Sequence, residues 1–362
     1  EVLEERTDTK LESLTESIGI TSFTLEDDIY ILPDAAARRW GMNGSQIRPM
    51  VVGDVVRDWT RGECEVAVFP YGRSLQPIVE PRPSGSGIGE TPLPDGRGSK
   101  RPVTEDDHLA LLGLLNSSTA CFWMKQVAHN KGDSTDQHGA RTIGDPAFNT
   151  YAFNGTLVGK FPLSPTFPLH TAQILDALST RLLDVQPAAV ISRGTPTREV
   201  LATARSAAET LLARMIAMQE ELDWECYRLY GLIADDLTFT HARSSRAREE
   251  ADGLATSGND HSLTVAARGV QLGQRAFEIV LARKMAAGET ESTWFTRHGS
   301  TPITELPADW PDDYRQLVER RIALIESDPN IRLIEQPEYK RRWNTEPWES
   351  QLERALRDWL LN

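Results

Sequence analysis

A chain of 362 residues with 40% hydrophobic and 25% charged side chains has the composition of folded domains and room for two or three of them, so wholesale disorder is excluded. Its 53 acidic residues against 39 basic ones leave a net charge of −14, which excludes a surface coated throughout by nucleic acid or membrane and leaves only a local basic patch open. Cys64, Cys121 and Cys226 are distant and odd in number; this points to a reducing, cytoplasmic setting rather than a disulfide framework or a cysteine zinc site. The richest apolar run, Leu109 to Met124, is broken by Gly113, Asn116, Ser117, Ser118 and Thr119, too polar to span a bilayer, so no membrane partner is expected. No signal peptide is expected from the charged opening residues. The charged opening EVLEERTDTKLESL starts at Glu1, not Met, and is expected to continue upstream into further polypeptide.

Taken in order, residues 28–33 (DIYILP) and 64–70 (CEVAVFP) predict strands closed by proline. Residues 81–102, rich in Gly, Pro and Ser, predict a long loop. Thr104, with Glu105, Asp106 and Asp107 behind it, suits a helix start. Residues 109–127 continue as one kinked helix or two short ones, the weak point being Asn116, Ser117 and Ser118. Residues 149–162 (NTYAFNGTLVGKFP) predict two strands around an Asn154-Gly155 turn. Beyond residue 170 the pattern turns helical. Thr195 and Pro196 suit a cap and a first-turn proline. Val200, Ala204, Ala208, Leu211, Met215, Met218, Leu222, Cys226 and Leu229 then recur at a spacing of about 3.6. Such a helix is about 50 Å long at about 1.5 Å per residue, with residues 171–183 as its nearest partner and Glu220, Glu221 and Asp223 on its wet side. Residues 241–264 are polar and read as a linker or mobile loop. Three further helices are expected at 274–287, 312–327 and 346–361, the last striped by Trp348, Leu352, Leu356 and Trp359. The expected class is α+β: a small mixed part over 1–168, a long-helix spacer over 169–240, the linker over 241–264 and a C-terminal helical region over 265–362.

The chemistry begins with an absence. The sequence carries neither an Asn/Asp-Pro-Pro-aromatic loop of the kind that holds a flipped base nor a strand, glycine loop and helix of the kind that holds a nucleotide-like cofactor. The string from Gly85 to Gly89 lies in a Pro-rich loop, and Asp145-Pro146 reads as a turn. His129, Asp133, Asp136 and His138 match no zinc spacing. Asp328 followed by Glu338 and Lys340 imitates a nuclease motif, but its flanks do not read as paired strands. No catalytic, cofactor-binding or metal-binding residue is therefore assigned. Two regions could meet nucleic acid. In the first, Lys125, Lys131 and Arg141, with Lys100 and Arg101, would contact phosphates, while His129, Asn130, Asp133 and Gln137 would face base edges. The second is the basic run from Tyr339 to Trp343, whose other reading is a surface turn with Trp343 buried.

Several segments carry a family likeness. Residues 47–59 (IRPMVVGDVVRDW) and 68–72 (VFPYG) resemble the segment that follows the catalytic domain of large adenine-specific DNA methyltransferases. Residues 111–126 (LLGLLNSSTACFWMKQ) and 151–163 (YAFNGTLVGKFPL) resemble their target-recognition domain. Residues 219–232 (QEELDWECYRLYGL) and 337–361 (PEYKRRWNTEPWESQLERALRDWLL) are similar to one branch, the PglX-type methyltransferases of phage growth limitation (BREX) defence systems. The likeness implies a whole enzyme that transfers methyl groups from S-adenosylmethionine to adenine in a specific double-stranded DNA sequence, marking host DNA against phage. This chain would supply the C-terminal part: a target-recognition domain over 1–168, the spacer and the helical region. Its partners would be double-stranded DNA, its own N-terminal methyltransferase domain and other BREX proteins. Without catalytic motifs it would hold no cofactor and be inactive alone. The rival expectation is a protein-docking scaffold for other defence proteins or a phage inhibitor.

Overall fold

A computed structural model of the chain describes residues 2–15, 18, 30–42, 44, 46–51, 56–57, 59–61, 64–69, 104–132, 149–239, 269–343 and 346–361. Contacts divide the chain into two compact units, Ile20–Thr104 on one side and Glu1–Gly19 with Glu105–Asn362 on the other. The chain opens with α1 (Val2–Glu5). The smaller unit holds β1 (Ile31–Leu32), α2 (Asp34–Arg39), β2 (Ile47–Pro49), β3 (Val56–Arg57), β4 (Thr60–Arg61) and β5 (Val66–Val68). The strands expected at 28–33 and 64–70 are present but short. β5 lies between β1 and β2 and is antiparallel to both, with Ala67 opposite Ile31 and Arg48. β3 and β4 form a separate pair.

In the larger unit, the stretch 109–127 resolves into two helices, α3 (Glu105–Leu115) and α4 (Ser118–Val127). The break has a local cause. The Asn116 amide donates to the Leu112 carbonyl at 3.1 Å, and the Ser117 hydroxyl accepts the Ala120 N–H at 3.2 Å, so side chains take backbone partners and start a new helix. β6 (His129–Gly132), β7 (Thr150–Ala152) and α5 (Gly155–Gly159) follow. Here the expectation for 149–162 fails. β7 pairs with β6, not with a strand of its own hairpin. Asn154, at φ −131°, caps α5 by accepting the Leu157 N–H at 2.9 Å. Gly155 is needed because any Cβ there would stand 2.3 Å from the Ile18 carbonyl oxygen.

α6 (Leu169–Asp184), α7 (Pro187–Ser192) and α8 (Arg198–Leu229) come next. α6 packs on α8, the expected partner, and on α3. Gly113 permits the α3–α6 contact, since a Cβ would lie 2.8 Å from that of Ala172. The cap of α8 is Thr197, whose hydroxyl accepts the Val200 N–H at 3.3 Å. Pro196 thus precedes the helix and does not begin it. The apolar stripe is buried from Ala204 to Cys226, while Val200 is exposed. From Met215 to Trp224 every residue is buried, so this half of α8 is enclosed on all sides. The acids Glu220, Glu221 and Asp223 are therefore interior, contrary to the wet-side expectation.

The remaining helices are α9 (Ala276–Ala286), α10 (Trp294–Arg297), α11 (Asp312–Ser327), α12 (Pro329–Ile334) and α13 (Trp348–Leu361). The three expected helices coincide with α9, α11 and α13 to within two residues. α9 packs on α11, and α13 lies on α7. Residues 241–264, expected as a linker, lie outside the described residues. Among the described residues, helices with three small antiparallel sheets make the α+β class that was expected. Among the described residues no helix is long and apolar enough to cross a membrane.

Candidate nucleic-acid interface

α4 leads directly into β6. His129 pairs with Ala152 and Asn130 with Tyr151, but Gly132 pairs with Thr150, so Lys131 is an extra residue bulging from the ribbon. His129, Asn130 and Lys131 are all exposed. The structure thus gathers three of the expected DNA-facing residues on one small two-stranded element. Lys125 stands differently. It is half-buried, donates to the Glu338 carbonyl, and lies 5.3 Å from the Tyr151 ring centre and 5.9 Å from that of Tyr339. Burial pulls its ammonium below the usual lysine range. Lys100, Arg101, Asp133, Gln137 and Arg141 lie outside the described residues, as do Asp136 and His138.

Two aromatics join these residues beyond those expected from the sequence. Tyr151 and Phe153 stack at 6.3 Å with 28° between their planes, and Phe153 is 55% exposed. The signal was the alternation within NTYAF, which sends both rings to one face of the strand.

Behind the ribbon, Glu338 and Tyr339 anchor the end of α4: Gln126 donates to the Tyr339 hydroxyl at 3.0 Å, and Phe122 meets the Tyr339 ring edge-on at 4.9 Å. The next residue, Lys340, is buried. Its ammonium lies 2.8 Å from Asp223, 2.8 Å from Glu335 and 3.4 Å from Glu220. Asp223 also accepts the Ser118 N–H at 2.8 Å and the Ser118 hydroxyl at 2.6 Å, and Tyr227 donates to Glu335 at 2.5 Å. Arg341 donates to Asn116. The run from Tyr339 to Trp343 is accordingly an internal clamp. Lys340 faces carboxylates rather than phosphates, and Trp343 is buried. Asp328 accepts the Asn330 and Ile331 N–H groups as the cap of α12, so it forms no nuclease pair with Glu338. Among the described residues no group of His, Cys, Asp and Glu is placed to hold a metal ion.

Burial opposes the charge on Lys340, but Asp223, Glu220 and Glu335 together hold its pKa above the usual lysine value. Burial pushes Glu220 from the ordinary 4.5 up to about 7, against the pull of Lys340. A carboxyl raised in this way binds more protons in the folded chain than in the unfolded one. Its contribution to stability is present at low pH and is lost as pH rises between about 4.5 and about 7. Urea midpoints are therefore expected to gain a less negative slope over that window in Glu220→Gln, which stays neutral throughout; an unchanged slope would remove Glu220 as its source.

Residues 215–362 match the family described as Domain of unknown function (DUF7008). Over 261 residues the chain is 48% identical to "Adenine-specific methyltransferase PglX" of Streptomyces coelicolor, covering 72% of this chain and 20% of that protein. The PglX-type resemblance is shown. The chain spans about a fifth of the length of that PglX relative. No solved structure matches the chain. The DUF7008 match begins at Met215, where α8 becomes enclosed, and it contains Glu220, Asp223, Glu335 and Lys340. The β6–β7 ribbon lies before it. The PglX-like chain thus joins an internal ion cluster within the DUF7008 match to an exposed ribbon outside it, with Lys125 and Gln126 making the connection through Glu338 and Tyr339.

Proposed function

We propose that this chain reads DNA sequence for an adenine-specific DNA methyltransferase of anti-phage defence. Methyl transfer from S-adenosylmethionine belongs to an N-terminal domain that the chain itself does not supply. The observation that carries the reading is the exposed ribbon with His129, Asn130 and Lys131 at its surface. A two-stranded ribbon is of a size the DNA major groove admits. There, the Asn130 amide or, from the opposite face of the ribbon, the His129 imidazole can meet base edges, and lysine can meet phosphate. The name of the relative, an adenine-specific methyltransferase, supports DNA as the polymer. Among the described residues, Gly155 leaves no room for a methyl donor. Gly85 to Gly89 lies outside the described residues, and the space beside Gly155, which follows a strand and opens a helix, is taken by the Ile18 carbonyl.

The test is a duplex titration at several salt concentrations. Each phosphate contact removed should make the slope of log affinity against log salt shallower by about 0.9. Lys131→Ala combined with Arg141→Ala is expected to weaken binding and reduce that slope. Unchanged affinity and slope would overturn the assignment. A second reading, docking of other BREX proteins or a phage inhibitor, is favoured by the net charge of −14 and by Trp359, Leu360 and Leu361 exposed at the end of α13. It predicts no difference between specific and scrambled duplexes in the same titration.

A further inference from the structure

Lys125, Tyr151 and Phe153 form a ladder that rises from α4 and ends in solvent. The Lys125 ammonium lies on the Tyr151 ring, the Tyr151 ring stacks on Phe153, and the Phe153 phenyl is more than half exposed. A single exposed phenyl is ordinary on a protein surface. This one differs in its support and its neighbours. Its position is braced by Tyr151, which Lys125 backs, and Lys125 is in turn anchored on the Glu338 carbonyl. Cross-strand register places Asn130 opposite Tyr151, and so on the face that carries both rings. The ribbon therefore presents an apolar plate beside a side-chain amide.

Within an intact duplex the base faces are covered by stacking, and a groove-bound side chain meets only base edges. The apolar feature on those edges is the 5-methyl group of thymine, which lies in the major groove and distinguishes T·A from the other pairs. Resting on the DNA-reading function proposed above, we propose that Phe153 is a specificity residue that packs against the 5-methyl group of a thymine in the target duplex. Asn130 on the same face offers the donor and acceptor pair suited to a neighbouring adenine edge.

The experiment uses the 362-residue chain and a pool of random-sequence duplexes from which bound sequences are selected. Each thymine of the selected sequence is then replaced in turn by deoxyuridine, which lacks only the methyl group. One replacement is expected to weaken binding about fourfold, the effect of one buried methyl-sized contact. Phe153→Ala is expected to bind that duplex and its deoxyuridine version alike, at the weaker level, with its thermal midpoint unchanged because the side chain is exposed. Phe153→Leu keeps apolar surface and should retain part of the discrimination. If every deoxyuridine duplex binds as tightly as its parent, or if Phe153→Ala still discriminates, the methyl contact is overturned while DNA reading stands. A selection that enriches no sequence overturns the DNA-reading function itself, and the methyl contact with it.

Discussion

Lys340→Ala is expected to lower the unfolding free energy by about 3–5 kcal/mol, the range seen when one partner of a buried ion cluster is removed. The reason lies in what would remain. Glu220, Asp223 and Glu335 would face one another in the interior with no cation in contact, each side chain being at most 3% exposed, and only the more distant charges of Arg275 and Arg321 would act on Glu220. Neither oxygen of Glu220 has a hydrogen bond to take up its charge. Against a typical total of about 5–15 kcal/mol, that loss removes a large share of the stability. Urea unfolding at neutral pH measures it. Two companions identify the mechanism. Acidification toward pH ~5 should restore part of the loss, because protonated carboxyls no longer repel. Neutralising all four groups together (K340M with E220Q, D223N and E335Q) should cost less than Lys340→Ala alone, because no charge is then left buried and unpaired. An unfolding free energy for Lys340→Ala within about 0.5 kcal/mol of the parent, the range of ordinary surface substitutions, would refute the assignment. The same variant should also loosen the ribbon, because Glu338 and Tyr339, which hold Lys125 and Gln126, directly precede Lys340 in the chain.

Much of the fold could be read from the sequence because its cause is local. The stripe from Ala204 to Cys226 announces α8 by period alone, and Asn116 to Ser118 mark the α3–α4 break by their competition for backbone partners. What could not be read depends on distant residues. Glu220, Glu221 and Asp223 look like a solvated face until Lys340 arrives from 117 residues beyond Asp223, and Arg321 reaches Glu221 from 100 residues away at 2.8 Å. Asn154-Gly155 serves equally well as a hairpin turn or as a cap and first helical residue. The Ile18 carbonyl, approaching from the N-terminal segment, leaves no room for a side chain there. The candidate interface was legible in its exposed polar members, His129, Asn130 and Lys131, since residue type alone suggests groove chemistry. Lys125 looks by its charge like a phosphate contact, although its position is set by the Glu338 carbonyl 213 residues away. Tyr151 and Phe153 give no such signal, because two aromatics in a strand read first as core.

Glu278→Ala is expected to have an effect of the same size, about 3–5 kcal/mol, for a second buried pair with a different design. Arg275 and Glu278 are 1% and 0% exposed at their side chains and meet as a fork, at 2.7 Å and 3.0 Å. Glu278 also accepts the N–H of Gly273 at 2.7 Å, the Arg275 backbone N–H at 3.1 Å and the Trp294 indole N–H at 3.0 Å. Arg275 in turn donates to the Arg341 carbonyl at 2.7 Å and lies 4.7 Å from the Phe277 ring centre. Truncating Glu278 would strand a guanidinium and several donors at once. Glu278→Gln should cost less, because an amide oxygen still accepts some of these bonds. Arg275→Lys should lose most of the pair, because a single ammonium cannot reproduce the fork. The pH dependence separates this site from the Lys340 cluster. Burial opposes ionisation of Glu278, but the charge and hydrogen bonds of Arg275 and the Trp294 N–H hold its pKa below 4.5. The folded chain then binds fewer protons than the unfolded one, so this contribution is present above pH ~4.5 and is lost as pH falls below it. Acid should thus partly relieve Lys340→Ala and leave Glu278→Ala unrelieved. Equal rescue of both variants at pH ~5 would mean that the two clusters do not act through the charges assigned to them.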